Sequence, residues 1–265
     1  MPFNAQELVT LNVVFKPGST YHFVEVEERT ERGETRGMED FSSDELPNPA
    51  TWKTKTTINK IIHTGAFNGD SIFPITIDHN RTREIQGKGI YKEGIYRDSM
   101  IVRGTFSDES LKFDSVQLLP QNDFKTRDAG KDEIQKTLFA YKYTADFFEF
   151  KNRKLRPGET FVNTLSSTSG KAESPMDSMV FTLLRVDKNI AVLSFTLHST
   201  STYKTSHIDK HSEIHSTGEL KVDLQKQMII HRSQEDRFFE IEKFTNPKWE
   251  IESTNSRIIT ETYVE

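Results

Sequence analysis

Cysteine is absent from the 265 residues. Disulfides, thiolate metal centres and a cysteine nucleophile are therefore excluded. Apolar residues are scarce at 34%, and no apolar run approaches the ~20 residues that a membrane helix needs. Positive charge is not in excess: 35 Lys and Arg stand against 40 Asp and Glu, a net charge of −5. The basic face that usually marks a nucleic-acid binder is missing. Also missing are a Gly-x-Gly-x-x-Gly turn, a phosphate-cradling loop and a His-Glu-x-x-His pair, so no cofactor is expected. Met1 to Glu7 carry neither a basic stretch nor an apolar one, and no signal peptide is expected there. A cysteine-free chain suits the cytoplasm, and equally the mature part of an exported protein.

What is present is aromatic and repetitive. Phenylalanine occurs 19 times against 2 Trp and 7 Tyr. The phrase Phe15-Lys16-Pro17-Gly18-Ser19-Thr20-Tyr21 returns as Leu155-Arg156-Pro157-Gly158-Glu159-Thr160-Phe161. Proline fixes φ at the first central turn position and glycine accepts positive φ at the next, so each phrase predicts a tight turn that feeds a strand. After the first turn, Tyr21, Phe23, Glu25 and Glu27 fall on one face of an alternating segment. The recurrence points to two duplicated antiparallel meanders. Residues 1–125 would form the first unit, 126–152 a linker, and 153–265 the second.

Short alternating runs separated by polar turns predict an all-β, mainly antiparallel fold. The two units can form paired sheets or fuse into one curved sheet or half-barrel. Strands are expected at 8–15, 58–63, 71–77, 100–106, 111–119, 179–186, 191–203, 212–223, 228–233, 238–244 and 256–264. Asn68-Gly69, Ser107 to Ser110, Asp187-Lys188-Asn189 and Asp223 to Lys226 fit hairpin turns. Residues 28–50 are polar and charged, and read as a long excursion or solvated hairpin outside the core. In the linker, Ile134, Leu138 and Tyr141 are spaced for a helix over about 131–143, with two strands as the alternative.

Several residue groups invite a chemical reading. His207, His211 and His215 would line one helix face and could grip a metal. Their Ser, Thr and Lys neighbours favour a solvated hairpin instead. Gly69-Asp70-Ser71 has the outline of an esterase signature, but a hairpin context and the lack of a later Asp-x-x-His argue against Ser71 as nucleophile. Asp108, Glu109 and Asp114 lie at or near a turn, where carboxylates are ordinary solvated residues. No catalytic residue and no metal ligand is assigned, and the chain is not expected to be an enzyme.

The stretch from Leu11 to Phe23, the phrase Leu155 to Phe161, and Gly218 to Asp223 followed by Gln227 to Ile230 resemble a group of secreted proteins and lipoproteins of the Bacteroidetes type. The resemblance implies a β-rich envelope protein, periplasmic or associated with the outer membrane. It carries over no functional residue. On that basis the expected function is non-catalytic binding of an apolar small molecule or lipid on a concave aromatic face. Phe23, Phe73, Tyr91, Tyr96, Phe106, Phe181 and Phe195 are its candidate lining. The alternative is a scaffold or adhesion module that binds a protein partner through a sheet edge. Neither reading involves nucleic acid or a transmembrane helix.

Overall fold

A computed structural model describes residues 8–36, 49–67, 72–88, 93–106, 111–119, 150, 152–165, 177–245 and 248–264. Its elements are all strands: β1 (Val9–Leu11), β2 (Thr20–Arg36), β3 (Ala50–Thr64), β4 (Phe73–Lys88), β5 (Gly94–Phe106), β6 (Leu111–Leu118), β7 (Arg153–Leu155), β8 (Thr160–Leu165), β9 (Asp177–Asp187), β10 (Ile190–Lys204), β11 (Ile208–Asp223), β12 (Met228–Thr245) and β13 (Lys248–Val264). No helix occurs among the described residues. The helix expected near 131–143 lies outside them, as do Ser71, Tyr91 and the turns at Asn68-Gly69 and 107–110.

Eleven strands make one antiparallel sheet in the order β6-β5-β4-β3-β2-β13-β12-β11-β10-β9-β8, and it does not close into a barrel. β2 to β6 form one meander and β8 to β13 another. The two meet where β2 pairs with β13, from Glu250↔Arg36 to Val264↔His22. β1 and β7 form a separate two-stranded ribbon through Val9↔Leu155 and Leu11↔Arg153.

Both Pro-Gly bends sit just before the first strand of a meander, β2 and β8. Gly18 has φ +67° and Gly158 φ +90°, backbone that favours glycine. The Gly18 N–H donates to the Gly65 carbonyl at 3.0 Å, and the Thr64 N–H returns a bond to Ser19 at 2.9 Å. The Gly158 N–H donates to Leu183 at 2.7 Å, and the Leu183 N–H returns one to Glu159 at 3.0 Å. One local device thus opens each meander by tying the bend to the strand that returns beside it.

The strands are long: β2, β12 and β13 have 17, 18 and 17 residues, against a usual five or six. This bears on two expectations. Of the two alternatives for residues 28–50, the excursion fails: residues 28–36 are the second half of β2, which pairs with β3 as an antiparallel hairpin. Residues 228–233 and 238–244 are not separate strands but one continuous β12. Charge pairing between neighbouring strands allows polar sequence to stay in register. Lys55 meets Glu28 at 3.0 Å, Arg36 meets Glu252 at 3.0 Å, Lys210 meets Glu240 at 2.9 Å and Lys243 meets Glu250 at 3.5 Å. Each exposed pair adds at most about 1 kcal/mol, but together they remove the like-charge conflicts that would shift a strand.

The sheet buries one face in two apolar clusters. One gathers Leu11, Phe150, Leu155, Phe161, Phe181, Leu193, Phe195 and Leu220 around β8 to β11, with the β1–β7 ribbon packed on it. The other gathers Tyr21, Ile62, Ile75, Ile77, Met100, Val102 and Met228, with Phe15, Phe23 and Tyr263 against it. Gly218 makes the first cluster possible. A Cβ there would lie 2.4 Å from the Phe195 ring and 2.3 Å from the Ser233 carbonyl oxygen.

Candidate functional site

Alongside the two apolar clusters the buried face turns ionic. In β2 the alternation that buries Tyr21 continues to Glu25, which is 8% exposed. Lys60 on β3 donates to Glu25 at 2.5 Å and to Glu261 on β13 at 2.8 Å. Arg232 on β12 reaches Glu25 at 3.4 Å and Glu261 at 3.6 Å. The group therefore ties four neighbouring strands together across the seam between the meanders. Burial by itself would raise the Glu25 pKa, but the charges of Lys60 and Arg232 outweigh it and hold it down at about 2.

Two further pairs flank this group. On one side Arg81 donates to Asp98 at 2.8 Å, with Asp98 3% exposed. His79 lies beside them on β4. Burial, then the charges of Lys60 and Arg81, lower its pKa to about 3 and keep it neutral. On the other side Asp236 accepts from Arg257 Nε and from Gln234 Nε2, each at 2.7 Å. Burial disfavours the Arg257 charge, but Asp236 and Glu27 more than compensate and raise its pKa. Every carboxylate of this band has a cation in contact. That arrangement holds neighbouring strands together across the seam.

The six described residues proposed as an aromatic lining do not form one surface. Phe73 and Phe106 pack at 5.1 Å between ring centres, with Phe15 5.7 Å from Phe106. Phe181 and Phe195 lie in the other cluster, 5.9 Å apart, with Phe161 stacked on Phe181 at 4.9 Å. Phe23 is half-buried against Tyr263 at 5.6 Å. Tyr96 is half-buried on β5. Phe181 and Phe195 belong to the cluster around β8 to β11, and Phe73 and Phe106 lie outside it.

The histidines are also split. His207 lies in the turn before β11, whereas His211 and His215 are on β11 with their side chains on the outer face. His211 bonds to Glu213 at 3.0 Å. No group of three or more metal-ligating residues occurs among the described residues. Asp114 is exposed on the outermost strand β6, away from the buried carboxylates.

A cleft of about 880 Å³ lies along β7, the second Pro-Gly bend and β8. Asn152, Arg153, Lys154, Glu159, Thr160 and Asn163 give it a mostly polar lining, with Phe161 and Leu155 at its base. The Arg153 guanidinium sits 5.1 Å from the centre of the Phe161 ring, a cation–π contact that holds the cation over the cleft. β8 is an end strand of the sheet, with β9 on its inner side, and its Val162 side chain is 53% exposed. In the sequence this site shows only as a short basic run beside the second turn, Lys151, Arg153, Lys154 and Arg156. It reads as a solvated connection until the fold puts an end strand next to it.

Fold and sites together define an all-β protein built on a single open antiparallel sheet. No family model matches the chain, and no curated protein matches it. Among solved structures, the crystal structure of OccK7 (OpdD) of Pseudomonas aeruginosa aligns over 92% of this chain and 98% of its own, with 7% identity and a TM-score of 0.25. At that level the likeness carries no argument about fold or activity.

Proposed function

We propose that this chain is a non-enzymatic bacterial envelope protein that binds an extended segment of a partner protein along β8. The observation that carries the reading is the polar cleft of about 880 Å³ running beside an end strand. An end strand offers main-chain groups on its outer side to an added strand. Arg153, Lys154 and Arg156 are all exposed at this margin; among the described residues Glu159 is the single acid lining the cleft, and it pairs with Arg156 at 3.5 Å. An extended segment that alternates carboxylates with small apolar side chains complements that chemistry. Its apolar side chains would meet Val162 and its acids the basic row.

The apolar-ligand reading draws less support. Phe73 packs on Phe106 and Phe181 on Phe195, so these rings spend their surface on their own neighbours. Envelope placement rests on the resemblance of the turn phrases and the closing strands.

Chemical-shift mapping with an alternating Val-Asp octapeptide tests the proposal, with a Val-Lys octapeptide as control. Shifts centred on residues 153–163, produced by the acidic peptide alone, are expected. Reversal of both cations, R153E with K154E, should weaken the peptide at least about tenfold. Equal response to both peptides, or shifts confined to other strands, would refute the assignment.

A further inference from the structure

The outer face of the second meander places two histidines side by side. His198 on β10 and His215 on β11 are direct cross-strand partners in the register. Both are exposed, and their ring centres are 6.1 Å apart. The sequence does not hint at this pairing, since 17 positions separate the residues and the visible spacing groups His215 with His207 and His211.

We infer that His198 and His215 form a two-histidine site for a borderline-soft divalent cation such as Zn²⁺ or Ni²⁺. The geometry admits one ion between the rings. A Zn–N bond of about 2.1 Å, plus roughly 1.1 Å from ring centre to nitrogen, puts a shared ion about 3.2 Å from each centre. Two rings on one ion can then have centres up to about 6.4 Å apart, and closer when the N–Zn–N angle bends toward tetrahedral. The observed separation falls just inside that limit. Exposed imidazoles rotate at low cost, so no main-chain movement is needed. Imidazole nitrogen is a preferred donor for these metals.

The surroundings complete the picture. Along β11, two residues from His215 on the same face, Glu213 is held by His211 at 3.0 Å. On β12, Arg237 lies opposite His215, but its charge is paired with Glu235 at 3.1 Å. On β9, Ser178 lies opposite His198 and brings no charge. An ion held here has two protein donors and open positions toward solvent, which water or a donor from another molecule would fill. The strands beneath are rigidly paired, so the two imidazoles are presented together, unlike two histidines on a loop.

The test is titration of tag-free protein with Zn²⁺ and Ni²⁺ at pH 7.5, followed by calorimetry and by the histidine ring signals in NMR. One equivalent is expected to bind, with the ring signals of His198 and His215 moving together. H198A and H215A should each weaken binding at least about tenfold, and H207A should leave it unchanged. All three substitutions are at exposed positions, so folding is not at stake. Wild-type affinity retained in H198A or H215A, equal loss in H207A, or no binding at about 1 mM metal would each overturn the site.

Discussion

Lys60 and Glu261 are 201 residues apart in sequence and 2.8 Å apart in the fold. The contact reaches across β2 to join β3 with β13, and it sits where the chain's beginning and end become one sheet. Glu25 lies between them and shares the same ammonium group. The seam between the meanders is thus fastened by a buried cation with carboxylates on both sides, and Arg232 closes the group from β12.

Removing that cation should be costly. Lys60→Met leaves Glu25 and Glu261 directly opposite each other across β2 and β13, with Arg232 as their remaining contact in the group. Breaking a buried charge pair by deleting one partner typically costs about 3–5 kcal/mol. Urea unfolding should show a lower midpoint of that order. Adding Glu25→Gln and Glu261→Gln should recover a large part of the loss. A Lys60→Met protein as stable as wild type would mean that the seam is held by backbone pairing alone.

Acid should weaken the fold in two stages. The His79 pKa is lowered to about 3, so above its ordinary 6.5 it is neutral in both states and neutral in stability. As pH falls below 6.5 the unfolded chain takes up a proton that the folded one refuses, and stability drops until about pH 3. The Glu25 pKa is lowered from 4.5 to about 2, so its contribution is complete above 4.5 and is lost as pH falls through 2. His79→Gln should therefore remove the decline between about pH 6.5 and 4.5 and leave the steeper loss below it. Denaturant midpoints collected across that range in both proteins check the order of the two stages.

Phe181 has no solvent exposure and touches the rings of Phe150, Phe161 and Phe195. Phe181→Ala should cost about 3–5 kcal/mol by thermal or chemical unfolding, the usual range for a buried ring. Val162→Ala on the exposed side of β8 should cost under about 0.5 kcal/mol. Similar losses at the two positions would show that the buried face is assigned to the wrong side of the sheet.

Two glycines should fail for different reasons. Gly218→Ala drives a methyl into the Phe195 ring and the Ser233 carbonyl oxygen, and such overpacking costs about 1–3 kcal/mol or more. Gly158→Ala meets no atom within 4 Å, yet forces an alanine to φ +90°, a strain of about 1–3 kcal/mol. A compensating Phe195→Leu should recover part of the first loss, leaving the clash with the Ser233 carbonyl, and none of the second. Rescue of both, or of neither, in thermal melts would contradict these separate causes.

Much of the local plan was legible in the residues. The Pro-Gly bends, the turn at Lys188-Asn189 with Lys188 at φ +55°, and the Asp223 carboxylate accepting from the Gln225 and Lys226 N–H groups all follow from turn chemistry. The acidic buried face also had a signal, because Glu25 and Glu27 follow Tyr21 and Phe23 in strict alternation. Periodicity gives the direction of a side chain but not the identity of what faces it. Lys60, Arg232 and Glu261 could not be matched to Glu25 without the register. The length of β2 was missed for a related reason: a run rich in Glu and Arg looks solvated until partner strands supply the opposite charges.

By itself, then, the sequence determined an all-β antiparallel chain, the two Pro-Gly bends and the hairpin turns at 187–189 and 223–226, and the alternation of side chains along each strand. These depend on φ preferences and a two-residue period, which are properties of neighbours along the chain. The tertiary structure alone decided that β2 joins β13, that β8 is left at an end beside a basic cleft, and that His198 meets His215. Those outcomes depend on which distant strands pair and in which register, and pairing is settled by cross-strand charge and packing summed over whole strands rather than by any local segment.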